Sequence, residues 1–209
     1  MARKLIHPRD EAFSIPQVIY QPNYCTPDFI LDLKTFLDQF EFCQVEYIKY
    51  GQIRKTPRLT YCYGQYNKEP TARYRGVDFS TEPIPQWLLQ LKAPIEQFLG
   101  CDFNAVIMNK YPTGDHHIGW HQDDESFLEH NTIASLTIGA ERPFQFRHLD
   151  KGQIHEVELK SGSLLIFNQG LLHSLPKRTR VSGVRYNITF RKVKSGLGIG
   201  NYYYYNRKQ

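Results

Sequence analysis

From Phe103 to Lys192 the chain is a succession of short strand-forming runs: Ala105–Tyr111, Thr132–Ile138, Phe144–His148, Ile154–Leu159, Leu164–Asn168 and Val184–Lys192. They are separated by Gly, Pro, Asn and Asp. Runs so short and so regularly interrupted predict strands, not helices. Two upstream stretches carry the helical period instead. Thr26-Pro27 is a helix start, a hydroxyl N-cap followed by proline at the first helical position, and Phe29, Leu33, Phe36, Leu37 and Phe40 recur behind it at helical spacing. The pattern returns from Pro85 to Leu99, with Trp87, Leu88, Leu91, Ile95 and Phe98 on the buried side, Pro94 as a kink and Gly100 as the stop. Helices followed by strands predict an α+β domain in which N-terminal helices brace a double-stranded β-helix, a jelly-roll core. No internal repeat or long linker divides the chain, so one domain is expected over residues 1–195. The Tyr-rich, low-complexity stretch 196–209 is expected to be a flexible tail.

A chain of 209 residues can bury on the order of 70% of its unfolded surface, enough for a barrel with its own core. Cys25, Cys43, Cys62 and Cys101 are scattered with no C-x-x-C, which predicts neither a zinc knuckle nor a disulfide framework and suits a reducing compartment. The amino-terminal segment lacks the apolar core of a signal peptide, and no stretch reaches the ~20 apolar residues of a membrane span. A soluble intracellular protein, nuclear or cytoplasmic and monomeric, is the expectation. The net charge of +5 is unevenly spread: Lys and Arg against Asp and Glu number 4 to 10 over residues 81–150 and 11 to 2 over residues 151–209. The basic last third predicts attraction for an anionic polymer; a solvated basic face would give the same count.

The acidic middle holds His121-Gln122-Asp123, with His173 fifty positions past Asp123 and Arg185 twelve positions past His173. Two neutral imidazoles and a carboxylate make a three-cornered face that suits ferrous iron and leaves positions open for a co-substrate and dioxygen. A histidine alone on such a strand is more often an ordinary core or surface residue; the combination carries the reading. The alternation of Val184–Lys192 sends Arg185, Asn187, Thr189 and Arg191 to one strand face, and Asn109 and Tyr111 form another i, i+2 pair offering an amide and a phenol. Guanidinium forks bind carboxylates bidentately and stay charged, so two of them suit a co-substrate with a carboxylate at each end.

These stretches, with Thr56-Pro57-Arg58, Tyr63-Gly64, His117-Ile118, Phe144-Gln-Phe146-Arg147-His148, Gly162-Ser163-Leu164 and His173-Ser-Leu-Pro176, resemble the AlkB family of iron(II)- and 2-oxoglutarate-dependent dioxygenases, particularly its nucleic-acid demethylases. The resemblance runs from about Pro57 to Lys192 and more thinly back to about Val18. It implies that His121, Asp123 and His173 hold Fe(II). It implies that Asn109, Tyr111, Arg185, Asn187, Thr189 and Arg191 hold 2-oxoglutarate, Arg185 at the distal carboxylate and Arg191 nearer the metal. The implied reaction with O2 decarboxylates the co-substrate to succinate, hydroxylates an N-methyl group on a base and releases formaldehyde.

Residues 44–82 interleave tyrosines with Lys and Arg, a composition that suits base stacking beside phosphate contacts or a Tyr-rich strand pair. In the family this region is the lid over the base pocket. The resemblance makes Tyr50, before Gly51 and upstream of Pro57-Arg58, a stacking finger, and places Arg58 and Tyr74 against substrate. It puts Asp124 and Glu125 beside the damaged base, Arg147, Lys151 and Gly152 at phosphates, and Arg178 with Arg180 on the opposite strand. The family's second lid aromatic is Gly76 here, and the small-Gly pair after it is Val77-Asp78, so the stacking partner must come from elsewhere. DNA bearing 1-methyladenine or 3-methylcytosine is the expected substrate, with RNA as the alternative. Two rival classes stand beside it: an oxygenase acting on a protein or small metabolite, and a non-catalytic barrel.

Overall fold

The computed structural model describes residues 3–5, 13–15, 18–49, 52–64, 71–74, 77–80, 83–123, 129, 132–147, 152–181 and 183–194; residues 3–5, 13–15, 47–49, 71–74 and 77–80 are described as backbone. In chain order the elements are β1 (Arg3–Leu5), β2 (Phe13–Ile15), β3 (Val18–Gln21), α1 (Pro27–Asp38), β4 (Cys43–Lys49), β5 (Gln52–Gly64), β6 (Thr71–Tyr74), β7 (Val77–Ser80), α2 (Gln86–Leu99), β8 (Ala105–Tyr111) and β9 (Ile118–His121). Then follow β10 (Thr132–Gly139), β11 (Arg142–Arg147), β12 (Ile154–Leu159), β13 (Leu164–Asn168), β14 (Leu172–Leu175) and β15 (Arg185–Arg191).

The start of α1 and the stop of α2 follow their sequence signals. The Thr26 hydroxyl accepts from the Phe29 N–H, and Pro27 fills the first helical position. Gly100 closes α2 at φ 64°, a left-handed conformation in which its N–H reaches the Glu96 carbonyl. Pro94 sits inside α2, as its placement in the sequence predicts. Leu33 and Leu37 of α1 and Leu88, Leu91 and Ile95 of α2 are buried against one face of the main sheet, whereas Phe98, expected on the buried side, is exposed near the end of α2.

That sheet has eight strands in the order β2-β3-β13-β10-β15-β8-β5-β4; a second has five, in the order β1-β12-β11-β14-β9; β6 and β7 form a separate pair. Strand alternation gives the main sheet two unlike faces. Val106, Met108, Leu136, Ile138, Tyr186, Ile188 and Phe190 face the helices in one core. The other face meets the five-stranded sheet over a second core that includes Tyr20, Phe144, Phe146, Val157, Leu165 and Phe167. Two facing sheets with helices outside one of them are the jelly-roll architecture expected from the strand pattern.

Several strands fall where no strand was expected. β3, β9 and β14 are only four residues each, too short for a periodic signal, and β3 and β9 exist through their partners β13 and β14. Tyr61 and Tyr63 correct the reading of residues 44–82 as a lid throughout. They lie on the half of β5 that pairs with β8, Tyr63 is buried, and Tyr61 packs against Phe40, Phe42 and Tyr63. The four cysteines are free thiols. Among the described residues no helix is long and apolar enough to cross a membrane.

Candidate metal centre

Two neighbouring strands and the loop after one of them deliver the His-Asp-His set to one point between the sheets. His121 ends β9, His173 lies on β14 directly opposite it in the ladder, and Asp123 follows where the Gln169 carbonyl accepts its N–H at 2.9 Å. Gln122 adds a second tie, donating from Nε2 to the Gly170 carbonyl at 2.7 Å. Histidine Nε2 atoms stand 3.7 Å (His121) and 3.8 Å (His173) from the Asp123 oxygens, too far for hydrogen bonds, and one ligand atom from each residue lies within 4.8 Å of the others.

Each imidazole is held by its far nitrogen. His121 Nδ1 faces the Gly119 carbonyl at 2.9 Å and His173 Nδ1 the Leu171 carbonyl at 2.8 Å. A carbonyl only accepts, so Nδ1 carries the proton and the Nε2 lone pair points inward, as a metal ligand requires. Phe144 stacks on the His173 ring and Phe167 meets it edge-on. Burial pushes His173 down to about 4 and lowers His121 as well, so both stay neutral at physiological pH. Burial alone would raise the Asp123 carboxyl, but the adjacent Arg191 guanidinium outweighs it and holds it below the usual range. Arg191 donates to Asp123 Oδ2 at 2.9 Å, while Oδ1 is buried with no hydrogen-bond partner. An ionised oxygen and two imidazole lone pairs converging on one point fit a divalent cation, and with the 2-His-1-carboxylate set the cation indicated is ferrous iron.

Behind the triad, β10, β15, β8 and β5 contribute a polar row to the face that lines the cavity. Thr137, Asn187, Asn109 and Thr60 are successive cross-strand partners. Asn187 donates to Ser135 Oγ and the Leu136 carbonyl and accepts from Thr189, while Asn109 Oδ1 accepts from Arg58 at 2.9 Å and Thr60 at 3.1 Å. Arg185 lies one row along, opposite Tyr111, and is 2% exposed. It donates to Thr137 Oγ1 at 3.0 Å and its guanidinium sits 5.2 Å from the Tyr111 ring centroid. Burial lowers its pKa to about 10, so it keeps its charge at neutral pH. Asn109, Tyr111, Arg185, Asn187, Thr189 and Arg191 line one cavity with the triad, so every residue expected around the metal and co-substrate comes together there.

The expected substrate contacts are less gathered. Tyr50, Asp124, Glu125, Lys151 and the 196–209 tail lie outside the described residues, and Tyr74 is described only as backbone on β6. Arg58 is engaged with Asn109, beside the co-substrate cavity. Arg147 rests over the exposed Trp120 ring, 5.1 Å from its centroid, an aromatic partner that the sequence reading had not singled out. Gly152 takes φ 58°, which suits glycine. Arg178 is tied inward: its side chain donates to the buried Glu156 at 3.2 Å, which Gln145 also holds, and its N–H donates to the Gly114 carbonyl. Arg180 is exposed and close by in sequence. The two arginines should therefore separate on substitution. Arg178→Ala is expected to cost about 1 kcal/mol of stability, a few degrees in Tm, by leaving Glu156 with one partner fewer. Arg180→Ala should leave Tm unchanged, and equal thermal shifts would remove the distinction.

Ser135 and Thr137 were also missed. Their alternation with Leu136 and Ile138 along β10 was visible, and two hydroxyls at i, i+2 on an apolar strand are the signal that would have found them.

Comparison with known proteins agrees with this geometry. DNA oxidative demethylase ALKBH2 of Bos taurus is 35% identical over 157 residues, covering 69% of this chain and 56% of the relative. The Homo sapiens protein of that name is 35% identical, covering 69% and 59%. Alpha-ketoglutarate-dependent dioxygenase alkB homolog 3 of Bos taurus is 36% identical over 154 residues, covering 66% and 52%. The chain thus spans less than two thirds of the length of these relatives. The solved structure of OsALKBH1 superposes with a TM-score of 0.65 at 16% identity, covering 87% of this chain and 100% of that one, a likeness of fold. The sequence model of the 2OG-Fe(II) oxygenase superfamily matches residues 17–191, a span containing the whole triad and the cavity behind it, and the chain belongs to that superfamily.

Proposed function

We propose that this chain is an Fe(II)- and 2-oxoglutarate-dependent dioxygenase that removes N-methyl groups from bases in DNA, of the 1-methyladenine and 3-methylcytosine type. The observation that carries the reading is one cavity holding both a His-Asp-His metal set and a buried arginine whose hydrogen-bonding neighbours, Thr137 and Tyr111, are neutral. A buried cation surrounded by neutral groups calls for an anionic ligand. The choice of DNA rests on relatives whose names are those of DNA oxidative demethylases, at about 35% identity.

In this reading His121, Asp123 and His173 hold Fe(II), and Arg185 receives the far carboxylate of 2-oxoglutarate beside Tyr111 and Thr137. Asn109, Asn187 and Thr189 line the co-substrate, and Arg191 orients Asp123 at the metal end. Bound iron supplies dioxygen activation coupled to decarboxylation of the co-substrate to succinate, and the oxidised N-methyl group leaves as formaldehyde. The protein's share is position: histidines fixed by their Nδ1 bonds, a carboxylate kept ionised by Arg191, and phenylalanines that screen one side of His173 from water. His121 is the more open ligand, its side chain 25% exposed against 6% for His173, so the base would approach from its side. Arg147, which rests on Trp120, would contact phosphates together with Lys151 and Gly152, Tyr50 and Arg180 would engage the duplex, and Asp124 and Glu125 would face the damaged base. The assignment takes residues 1–195 as one catalytic domain working as a monomer inside the cell.

The test is formaldehyde release from 1-methyladenine and 3-methylcytosine presented in single-stranded DNA, duplex DNA and RNA. Release from DNA with RNA poor is expected. Release from RNA alone would move the assignment to an RNA demethylase, and iron-dependent succinate formation with no methylated base accepted would move it to a protein or metabolite hydroxylase. Within the DNA reading, Tyr50→Ala should depress duplex activity far more than single-strand activity. Flipping costs a few kcal/mol of stacking and pairing, which an inserted aromatic partly restores. Equal losses on both would make Tyr50 packing, not a finger.

A further inference from the structure

Arg142 is the bulkiest of the side chains buried to below 2% exposure, at 1%, and its hydrogen bonds go to backbone carbonyls. It donates from NH1 to Thr113 at 3.4 Å, and from NH2 to Gly114 at 3.2 Å, His116 at 3.2 Å and Pro176 at 2.6 Å. Among the described residues it is paired with no carboxylate; such a buried cation is an expensive way to fill space, and an apolar side chain of similar volume would usually serve stability as well or better. What the guanidinium offers instead is geometry, a rigid fork that holds several acceptors in fixed relation.

The acceptors belong to the two segments that carry the imidazole ligands. Residues 113–116 lead into β9 and so to His121; Pro176 directly follows β14, which carries His173. β9 needs such support. It is an edge strand of four residues whose neighbour in the sheet is β14, and the register slips between the Leu175↔Ile118 and His173↔His121 pairs. A short edge ladder with a slip specifies its register weakly. The segments also approach closely where Arg142 ties them: Arg178 donates its N–H to the Gly114 carbonyl at 2.9 Å, and a Cβ on Gly114 would lie 1.7 Å from the Arg178 carbonyl oxygen.

We infer that Arg142 is a positioning residue for the metal centre: by tying residues 113–116 to Pro176 it fixes the register of β9 on β14, and with it the placement of His121 against His173. The inference rests on iron binding at the triad and is independent of which nucleic acid is demethylated. It goes beyond the ligand and co-substrate assignments, because Arg142 does not line the cavity.

The test is anaerobic Fe(II) titration of the unaltered chain, of Arg142→Lys and of Leu88→Ala. Lysine keeps the charge but cannot span the acceptors of a planar fork, so Arg142→Lys should fold by circular dichroism yet bind Fe(II) at least tenfold more weakly. Leu88→Ala removes a buried side chain on the far side of the main sheet; it should lower Tm while keeping Fe(II) affinity, which separates positioning from general destabilisation. Wild-type Fe(II) affinity in folded Arg142→Lys, or an equal loss in Leu88→Ala, would overturn the inference. Failure of the unaltered chain to bind Fe(II) would overturn the metal assignment instead.

If Arg142→Lys does not fold, hydrogen exchange in the unaltered chain decides. The amides of His116 and His117, bonded to the Thr113 and Pro57 carbonyls, should already exchange slowly without metal and change little when Fe(II) is added. Exchange that is fast in the metal-free chain and slows tenfold or more with Fe(II) would show that the metal sets the register, overturning the inference.

Discussion

Replacing Asp123 by alanine is expected to abolish iron-dependent turnover and to weaken Fe(II) binding by at least about 100-fold. Groups one step removed from a metal commonly cost 10–100-fold when lost, and Asp123 supplies the only anionic donor among the described candidates for the site. Its carboxyl is held ionised by Arg191, and its Oδ1 has no hydrogen-bond partner. Alanine would leave two neutral nitrogens facing a cation beside the Arg191 guanidinium. Asp123→Asn should fall between the two, since it keeps the shape and one oxygen but not the charge. Isothermal titration with Fe(II) under anaerobic conditions, followed by a succinate assay, reads both quantities. Retained affinity and turnover in Asp123→Ala would mean that the triad is not the iron site.

The second large effect is expected at Arg185. Arg185→Lys keeps a positive charge at the far end of the cavity but loses the fork that can meet a carboxylate with two parallel bonds. The KM for 2-oxoglutarate should rise tenfold or more, corresponding to a loss of about 1.4 kcal/mol, with Fe(II) affinity little changed. Thr137→Val removes the hydroxyl that accepts from Arg185 and should raise KM in the same direction by less. An unchanged KM in Arg185→Lys would take the residue out of co-substrate binding and reassign it as a core cation held by Tyr111.

Local patterns settled much of this protein. The Thr26-Pro27 start, the Gly100 stop and most of the strands from Ala105 onward follow from capping chemistry, glycine's freedom at positive φ and period-two alternation, which act over a few residues and are written in the order of the chain. The same alternation put Arg185, Asn187, Thr189 and Arg191 on one face, and the HxD spacing marked two of the three metal ligands before any contact was known. Only the tertiary structure decided what those faces meet. His173 becomes a ligand because β14 pairs with β9 and brings it opposite His121 across a long sequence separation. The ion pair of Arg178 with the buried Glu156, 3.2 Å away, has no trace in the local sequence, and Arg142 has no signal there because its acceptors are backbone carbonyls that every residue carries. Tyr61 and Tyr63 suit base stacking by composition and core packing by position; the pairing of β5 with β8 made the choice. Residue type and spacing fix what a side chain is able to do, whereas long-range strand pairing fixes the neighbours with which it does it.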